Sequence, residues 1–183
     1  MDNGDMSSSY RRFLDGDESA FDNIIKEYRD NLTFFINRYV HDMAAAEDIA
    51  IDAFMELIVH KHRFNFKTSL KTYLFMIGKS RALDYIKHRN KLEMVELSEV
   101  ADTLSDDYMV EASILNDEMK RQVNEAIAKL SEDMQAVVHL VYFEELSYKE
   151  AAKVMKKTTK QIDNLLFRAK EKLRTILGKE GVL

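Results

Sequence analysis

The segment that decides the fold lies at residues 147–173 and reads SYKEAAKVMKKTTKQIDNLLFRAKEKL. Ser147 and Glu150 have the spacing of a capping box, in which each side chain accepts the other residue's backbone amide at the start of a helix. Thr158 and Gln161 repeat that spacing eleven residues later. The segment therefore predicts a helix of about two turns that ends near Met155, a short turn, and a second, longer helix.

Two helices joined in this way form a helix-turn-helix, whose second helix can enter the DNA major groove by its N-terminal end. Lysines there neutralise phosphates, and Gln or Asn side chains can bond the edge of adenine. An antiparallel helical hairpin with surface lysines would have the same spacing, so the pattern alone does not decide between the two. The candidate DNA contacts around the turn and along the second helix are Lys156, Lys157, Thr159, Lys160, Gln161, Asn164 and Arg168.

The rest of the chain also predicts helices. The 183 residues contain no proline and only five glycines, so few residues interrupt a helix. Apolar residues at three- and four-residue spacing predict one helix after Asp17, a second over 46–58, and a third from Leu70 that kinks or breaks at Gly78 before continuing. Helical periodicity resumes near Met119. We expect an all-α protein of two small helical domains joined by an acidic linker.

Charge is distributed unevenly along the chain. The net charge of −5 hides a block of nine basic residues and one acid at 61–91 and a second basic block at 147–174. Between them, residues 93–118 contain nine acids and no Lys or Arg. The predicted domains are therefore 10–92 and 117–180, with the linker at 93–116.

Composition excludes several classes of protein. The chain has no cysteine, and hence no disulfide framework or thiolate metal site. The acidic start lacks the features of a signal peptide, and no apolar run approaches 18 residues, so we expect a cytoplasmic protein that does not insert into a membrane.

Residues 130–173 resemble region 4 of the bacterial sigma factors, in particular the small extracytoplasmic-function type. The similar stretches are VVHLVYFEELS at 137–147 and RAKEKL at 168–173. Many members have a glycine in the turn, whereas this chain has Met155, Lys156 and Lys157 there. The resemblance implies that the helix-turn-helix reads the minus-thirty-five promoter element.

Residues 16–89 resemble sigma region 2, beginning with GDESAF at 16–21 and continuing with AEDI at 46–49. On a helix, Asp48, Asp52 and Glu56 form one stripe beside Ile51 and Met55, either as a solvated face or as a protein-docking surface. The resemblance implies docking on the basic coiled coil of the large subunit of core RNA polymerase. The candidate docking residues are Glu47, Asp48, Ile51, Asp52, Met55 and Glu56.

The same resemblance assigns minus-ten recognition to the loop RFNFKTS at 63–69 and the helix YLFMIGKSRALDYIKHR at 73–89. Aromatic and cationic side chains can hold a base that has left its stack, although Phe64 and Phe66 are equally well explained as core residues. Tyr73 and Ser80 stand where the family commonly has tryptophan and asparagine. The candidate minus-ten contacts are Arg63, Asn65, Lys67, Lys79, Ser80, Arg81, Lys87 and Arg89.

We therefore expect a sigma factor that binds core polymerase and promoter DNA, melts the minus-ten element, catalyses nothing and needs no cofactor. The family resemblance also implies an anti-sigma protein, in many cases membrane-bound, as a further partner. The alternatives are an ordinary helix-turn-helix regulator, which explains the C-terminal half alone, and a helical metal-dependent phosphohydrolase. The second is suggested only by the pair His41 and Asp42, because the other ligands of such a site are missing.

Overall fold

The computed structural model describes residues 6–96 and 117–179, and within those ranges all regular structure is helical. The expectation of an all-α fold is confirmed. The described residues form eight α-helices, which are α1 (Ser7–Leu14), α2 (Ser19–Val40), α3 (Met43–Val59), α4 (Leu70–Glu96), α5 (Asp117–Ala128), α6 (Glu132–Val138), α7 (Tyr148–Met155) and α8 (Thr159–Lys179). A π-helical turn, His139–Phe143, extends α6.

The N-terminal domain is built around α2, which packs against α1, α3 and α4. The apolar residues of α2 recur every three or four positions, so one face of the helix enters the core. Leu32, Phe35 and Ile36 have no solvent exposure, and Phe35 lies 5.1 Å from the ring of Phe75 on α4. These contacts fix the position of α4. This helix carries most of the basic residues of the 61–91 block.

Of the two outcomes predicted at Gly78, a kink or a short break, the break is wrong, because α4 continues through this residue as one helix of 27 residues. The reason is close packing between helices. A β-carbon at Gly78 would lie 2.8 Å from Leu32 Cδ1 and 3.3 Å from Ile36 Cδ1. The glycine therefore allows α4 to approach α2, and a single glycine inside a helix costs only about 1 kcal/mol relative to alanine.

Helix α1 has no counterpart among the predicted elements. It is held by Tyr10, a fully buried residue whose hydroxyl donates to the carbonyls of Leu57 and Lys61, each at 3.0 Å. Burial, with a smaller effect from Tyr73, raises the pKa of Tyr10 to about 12. The tyrosine thus ties α1 to the end of α3.

The C-terminal domain confirms the helix-turn-helix. Ser147 and Glu150 form the reciprocal capping box at the start of α7, and α7 ends at Met155 as expected. At the start of α8, Gln161 N donates to Thr158 Oγ1 at 3.2 Å and Thr158 N donates to Gln161 Oε1 at 2.8 Å. Buried apolar residues of α6, α7 and α8 form the core of this domain.

The two domains pack against each other, with α4 against α7 and α2 against α6. Phe35 of α2 lies 5.7 Å from the ring of His139, which in turn stacks on Phe143 at 5.7 Å. Helix α4 continues to Glu96, four residues into the segment predicted as linker, and residues 97–116 of that segment lie outside the described part of the chain.

Candidate nucleic-acid interface

The exposed face of α8 carries most of the residues predicted to contact DNA at the helix-turn-helix. Thr159, Lys160, Gln161, Asn164 and Arg168 are all exposed. The opposite face is anchored in the core by Ile162, Leu166 and Ala169. Because three- and four-residue spacing places both sets on opposite sides of one helix, α8 presents a polar surface from its N-terminal end onward.

A shallow cavity of about 230 Å³ lies along this face and is lined by Lys157, Gln161, Asn164, Leu165 and Arg168. Gln161 has a double role there, because its Oε1 already accepts the Thr158 amide in the helix cap. A glutamine that reads adenine needs both its oxygen and its nitrogen. Asn164 is therefore the better candidate for a bidentate base contact.

The turn between α7 and α8 is closed by a non-glycine residue in the left-handed conformation. Lys156, the C-cap of α7, has φ 53°. Glycine adopts this conformation without strain, which explains the glycine that many sigma factors have in this turn. Lys156 remains exposed, whereas Lys157 is partly buried and forms a 3.0 Å ion pair with Asp133. Of the two lysines, Lys156 is the freer to meet a phosphate.

A second surface lies on α3 and contains the predicted docking stripe. Ile51 is 55% and Met55 48% exposed, and Glu47, Asp48 and Asp52 are exposed beside them. Exposed apolar residues ringed by charges are typical of protein-docking sites. The surface continues into a groove of about 510 Å³ between α2 and α3, whose lining includes Phe34, Met43 and Ile51.

Glu56 differs from the rest of the stripe. Its side chain is 25% exposed and accepts from Arg81 Nη2, and Arg63 Nη1 lies 3.5 Å from it. Arg81 also lies 3.7 Å from Asp52. Asp52 and Glu56, two of the predicted polymerase contacts, thus form ion pairs with residues predicted to contact DNA.

The predicted minus-ten contacts divide into two groups. Asn65, Lys67, Ser80 and Lys87 are exposed, together with Arg63. Arg89 instead donates to the carbonyl of Val40 at 3.2 Å and lies over the ring of Tyr85. The exposed residues lie on the loop at 63–69 and on α4, and all of them belong to the basic block at 61–91.

Lys79, another predicted minus-ten contact, is covered by the C-terminal domain in this structure. It is 9% exposed, and its ammonium donates to the carbonyl of Met155 at 3.3 Å. Burial lowers the pKa of Lys79 from the usual value for lysine, although the charge of Asp133 partly offsets this effect. The packing of α7 on α4 covers this position.

The aromatic residues of the loop are core residues in part. Phe64 is buried and meets Tyr10 edge-on at 5.6 Å. Phe66 has φ 57° and is partly buried, and Arg11 lies 4.8 Å from the centre of its ring. The core interpretation therefore holds for Phe64, and the loop presents polar side chains around it.

Some exposed apolar residues of these surfaces are not among the residues predicted from the sequence. Phe167 is 66% exposed and lies one turn after Asn164 on α8, while Phe34 and Val59 widen the apolar part of the α3 surface. The exposure of Phe167 could have been predicted from the sequence, since this residue falls outside the apolar stripe of its helix. Phe34 gives the same indication, since it falls outside the spacing of the buried residues Leu32, Phe35 and Ile36 on α2.

Within residues 6–96 and 117–179 no three His, Asp or Glu side chains converge into a metal-sized group. None of the helices in the described ranges is long and apolar enough to cross a membrane.

Comparison with known proteins identifies the family. Residues 24–92 match the model of sigma-70 region 2, and residues 120–173 match that of sigma-70 region 4. The chain belongs to the sigma-70 family and is a sigma factor of the extracytoplasmic-function type. It is therefore an initiation factor that binds core RNA polymerase and directs promoter-specific transcription.

Among its relatives, the RNA polymerase sigma-H factor of Pseudomonas aeruginosa is 30% identical over 85% of both chains. The ECF RNA polymerase sigma factor SigM of Bacillus subtilis is 26% identical over 87% of this chain and 96% of its own. The fold resembles that of the sigma factor RpoE of Bartonella quintana, solved with the anti-sigma factor NepR, with a TM-score of 0.70 at 19% identity over 86% of this chain and 96% of that one. It also resembles CnrH, solved with the cytosolic domain of CnrY, with a TM-score of 0.65 at 17% identity over 97% of this chain and 99% of that one.

Proposed function

We propose that the two domains divide the work of promoter recognition. Residues 10–92 bind core polymerase through α3 and melt and read the minus-ten element through the loop and α4. Residues 117–180 read the minus-thirty-five element through α8, and the acidic segment 93–116 joins them. A factor whose primary partner is polymerase works in the cytoplasm and has no catalytic role of its own.

The observation that carries the docking assignment is the exposure of Ile51 and Met55 beside Glu47, Asp48 and Asp52. Large apolar side chains at this exposure lose water favourably only when a partner covers them. The flanking carboxylates select a basic partner and set the register of docking. The basic coiled coil of the large polymerase subunit has the required chemistry.

At the helix-turn-helix, Lys156 and Lys160 are suited to phosphates and Asn164 to a base edge. Phe167, one turn of α8 after Asn164, adds an apolar group that can contact the methyl group of thymine. On α4 and its loop, Asn65, Lys67, Ser80 and Lys87 supply the exposed donors for a displaced single strand.

An anti-sigma protein is a further partner that we propose by analogy. The related RpoE was solved bound to the anti-sigma factor NepR. Copurification from cells without the inducing signal would identify such a partner for this chain.

Replacing Asp48 by lysine tests the docking surface. The aspartate is exposed on α3, so the change reverses charge without opening the core, and we expect roughly tenfold weaker binding to core polymerase. Affinity is measured by titrating labelled protein with core enzyme. Glu145→Lys, an exposed acid of the C-terminal domain, is the matched control, and equal affinity of the two variants would contradict the assignment.

A further inference from the structure

Helix α1 lies against the loop at 63–69 that is proposed to hold the displaced strand. Tyr10 of α1 contacts both aromatic rings of this loop, with its ring centre 5.6 Å from that of Phe64 and 6.3 Å from that of Phe66. The next residue, Arg11, is exposed, and its guanidinium carbon lies 4.8 Å from the centre of the Phe66 ring. A helix that the sequence patterns did not predict therefore places a cation at the proposed minus-ten site.

The loop backbone has an unusual conformation beneath this cation. Phe66 has φ 57°, which a residue with a β-carbon adopts only where surrounding contacts impose it. Its ring is held by Tyr10 and by Phe64, whose ring centre is 4.6 Å away. Lys67 N donates to Asn65 Oδ1 at 3.1 Å across the bend. Such strain is concentrated at functional sites, which directs attention to the surroundings of Phe66.

The aromatic rings of the loop do not themselves offer an open flat face to a base. Phe64 is 4% exposed, and Phe66 is partly buried with Arg11 lying over its ring. The exposed planar group at this point is the guanidinium of Arg11. A guanidinium stacks on an aromatic ring with one face, and a nucleobase can stack on the other.

Arg11 also differs from its neighbour Arg12 in its electrostatic partners. Arg12 forms an ion pair with Asp17 in the turn before α2. Among the residues that the structure describes, no Asp or Glu forms an ion pair with Arg11. Lys67 is exposed on the same loop. A guanidinium plane and a nearby ammonium match a single strand, whose bases are flat and whose phosphates are anionic.

We propose that the guanidinium of Arg11, seated on Phe66, is a stacking platform for one unpaired nucleobase of the displaced minus-ten strand. The base lies on the face of the guanidinium that is turned away from Phe66, and Lys67 meets a neighbouring phosphate. This inference deepens the minus-ten role proposed for the loop and rests on it. Helix α1 thereby joins the loop and α4 in promoter reading.

Arg11→Ala in the reconstituted holoenzyme tests the platform. The probes are a labelled single strand with the non-template minus-ten sequence of a promoter defined by run-off transcription, and the same strand with each base in turn replaced by an abasic site. Arg11→Ala should bind the intact strand roughly tenfold more weakly, because the stacking of one base is lost. At one position, an abasic site should cost the parent a similar factor and cost Arg11→Ala nothing further.

Arg11→Lys separates stacking from charge. Lysine keeps the positive charge but has no planar group, so this variant should bind the intact strand nearly as weakly as Arg11→Ala and keep the salt dependence of the parent. A contact to phosphate alone would instead be preserved by lysine.

Arg12→Ala is the matched control, because it removes the same charge from the same helix on a side chain that is paired with Asp17. It should bind the strand with the affinity of the parent. Circular dichroism and titration with core polymerase, carried out on every variant, separate a loss of strand binding from a loss of fold or of holoenzyme.

Three outcomes would overturn the inference. Arg11→Lys binds like the parent, or Arg12→Ala loses as much affinity as Arg11→Ala, or Arg11→Ala keeps every position-dependent loss that the parent shows. Failure of the proposed function is distinguishable, because a parent holoenzyme that binds the minus-ten strand no more tightly than a scrambled strand would remove the role of the whole loop.

Discussion

At the scale of single residues, His139 is a buried ionisable group at the domain contact. Its imidazole lies between Phe35 and Phe143, with Glu144 Oε1 at 3.2 Å from Nε2. Burial lowers the pKa of His139, and Glu144 offsets this only in part. Burial opposes ionisation of Glu144, but contact with His139 and the charge of Lys71 outweigh it and hold its pKa below the usual value.

These shifts predict that acidification destabilises the protein. Below about pH 6.5 the unfolded chain protonates this histidine while the folded chain does not, so stability falls with pH in that range. The melting temperature should drop between pH 7.5 and 5.5, and His139→Gln should flatten this drop. His60→Gln at an exposed position should follow the parent; an equal slope for both variants would count against the buried imidazole as its source.

Residues also mark where local sequence suffices and where it does not. Ser147 and Glu150 could be predicted as a cap because their contact depends on three-residue spacing alone. Lys79 could not be predicted as buried, because its partner Met155 lies 76 positions away in the other domain. The same holds for Glu56, whose pairing with Arg81 depends on how α3 crosses α4.

At the scale of elements, α8 is the helix whose predicted role can be separated into two kinds of contact. Lys160→Ala should weaken binding to every duplex and reduce the salt slope by about one, because one phosphate contact is lost. Asn164→Ala should cost about 1–3 kcal/mol at one base pair and relax preference there. Fluorescence anisotropy against a set of single-base variants of the minus-thirty-five duplex separates the two effects, and a uniform loss for Asn164→Ala would argue against base readout.

Helices α2, α3 and the start of α4 could be predicted from apolar periodicity, and the end of α7 at Met155 from the spacing of two capping boxes. The continuity of α4 through Gly78 could not, because it depends on the approach of Leu32 from another helix. The π-helical turn at His139–Phe143 had no recognisable pattern either. It lies just before Glu144, the residue that joins the two domains.

At the scale of the whole molecule, charge is arranged for a complex rather than for a free DNA ligand. The acidic stripe on α3 and the net charge of −5 oppose general DNA binding. The basic surfaces of α4 and α8 lie on separate domains, and in this structure only that of α8 is fully exposed. Promoter reading by this chain therefore belongs to the holoenzyme.

Run-off transcription with purified core polymerase on genomic fragments tests this account most directly. The full chain should produce discrete transcripts from a subset of fragments, and the free chain should protect no minus-ten region on the same DNA. Transcripts that are absent with the chain present, or a minus-ten footprint from the chain without polymerase, would contradict it.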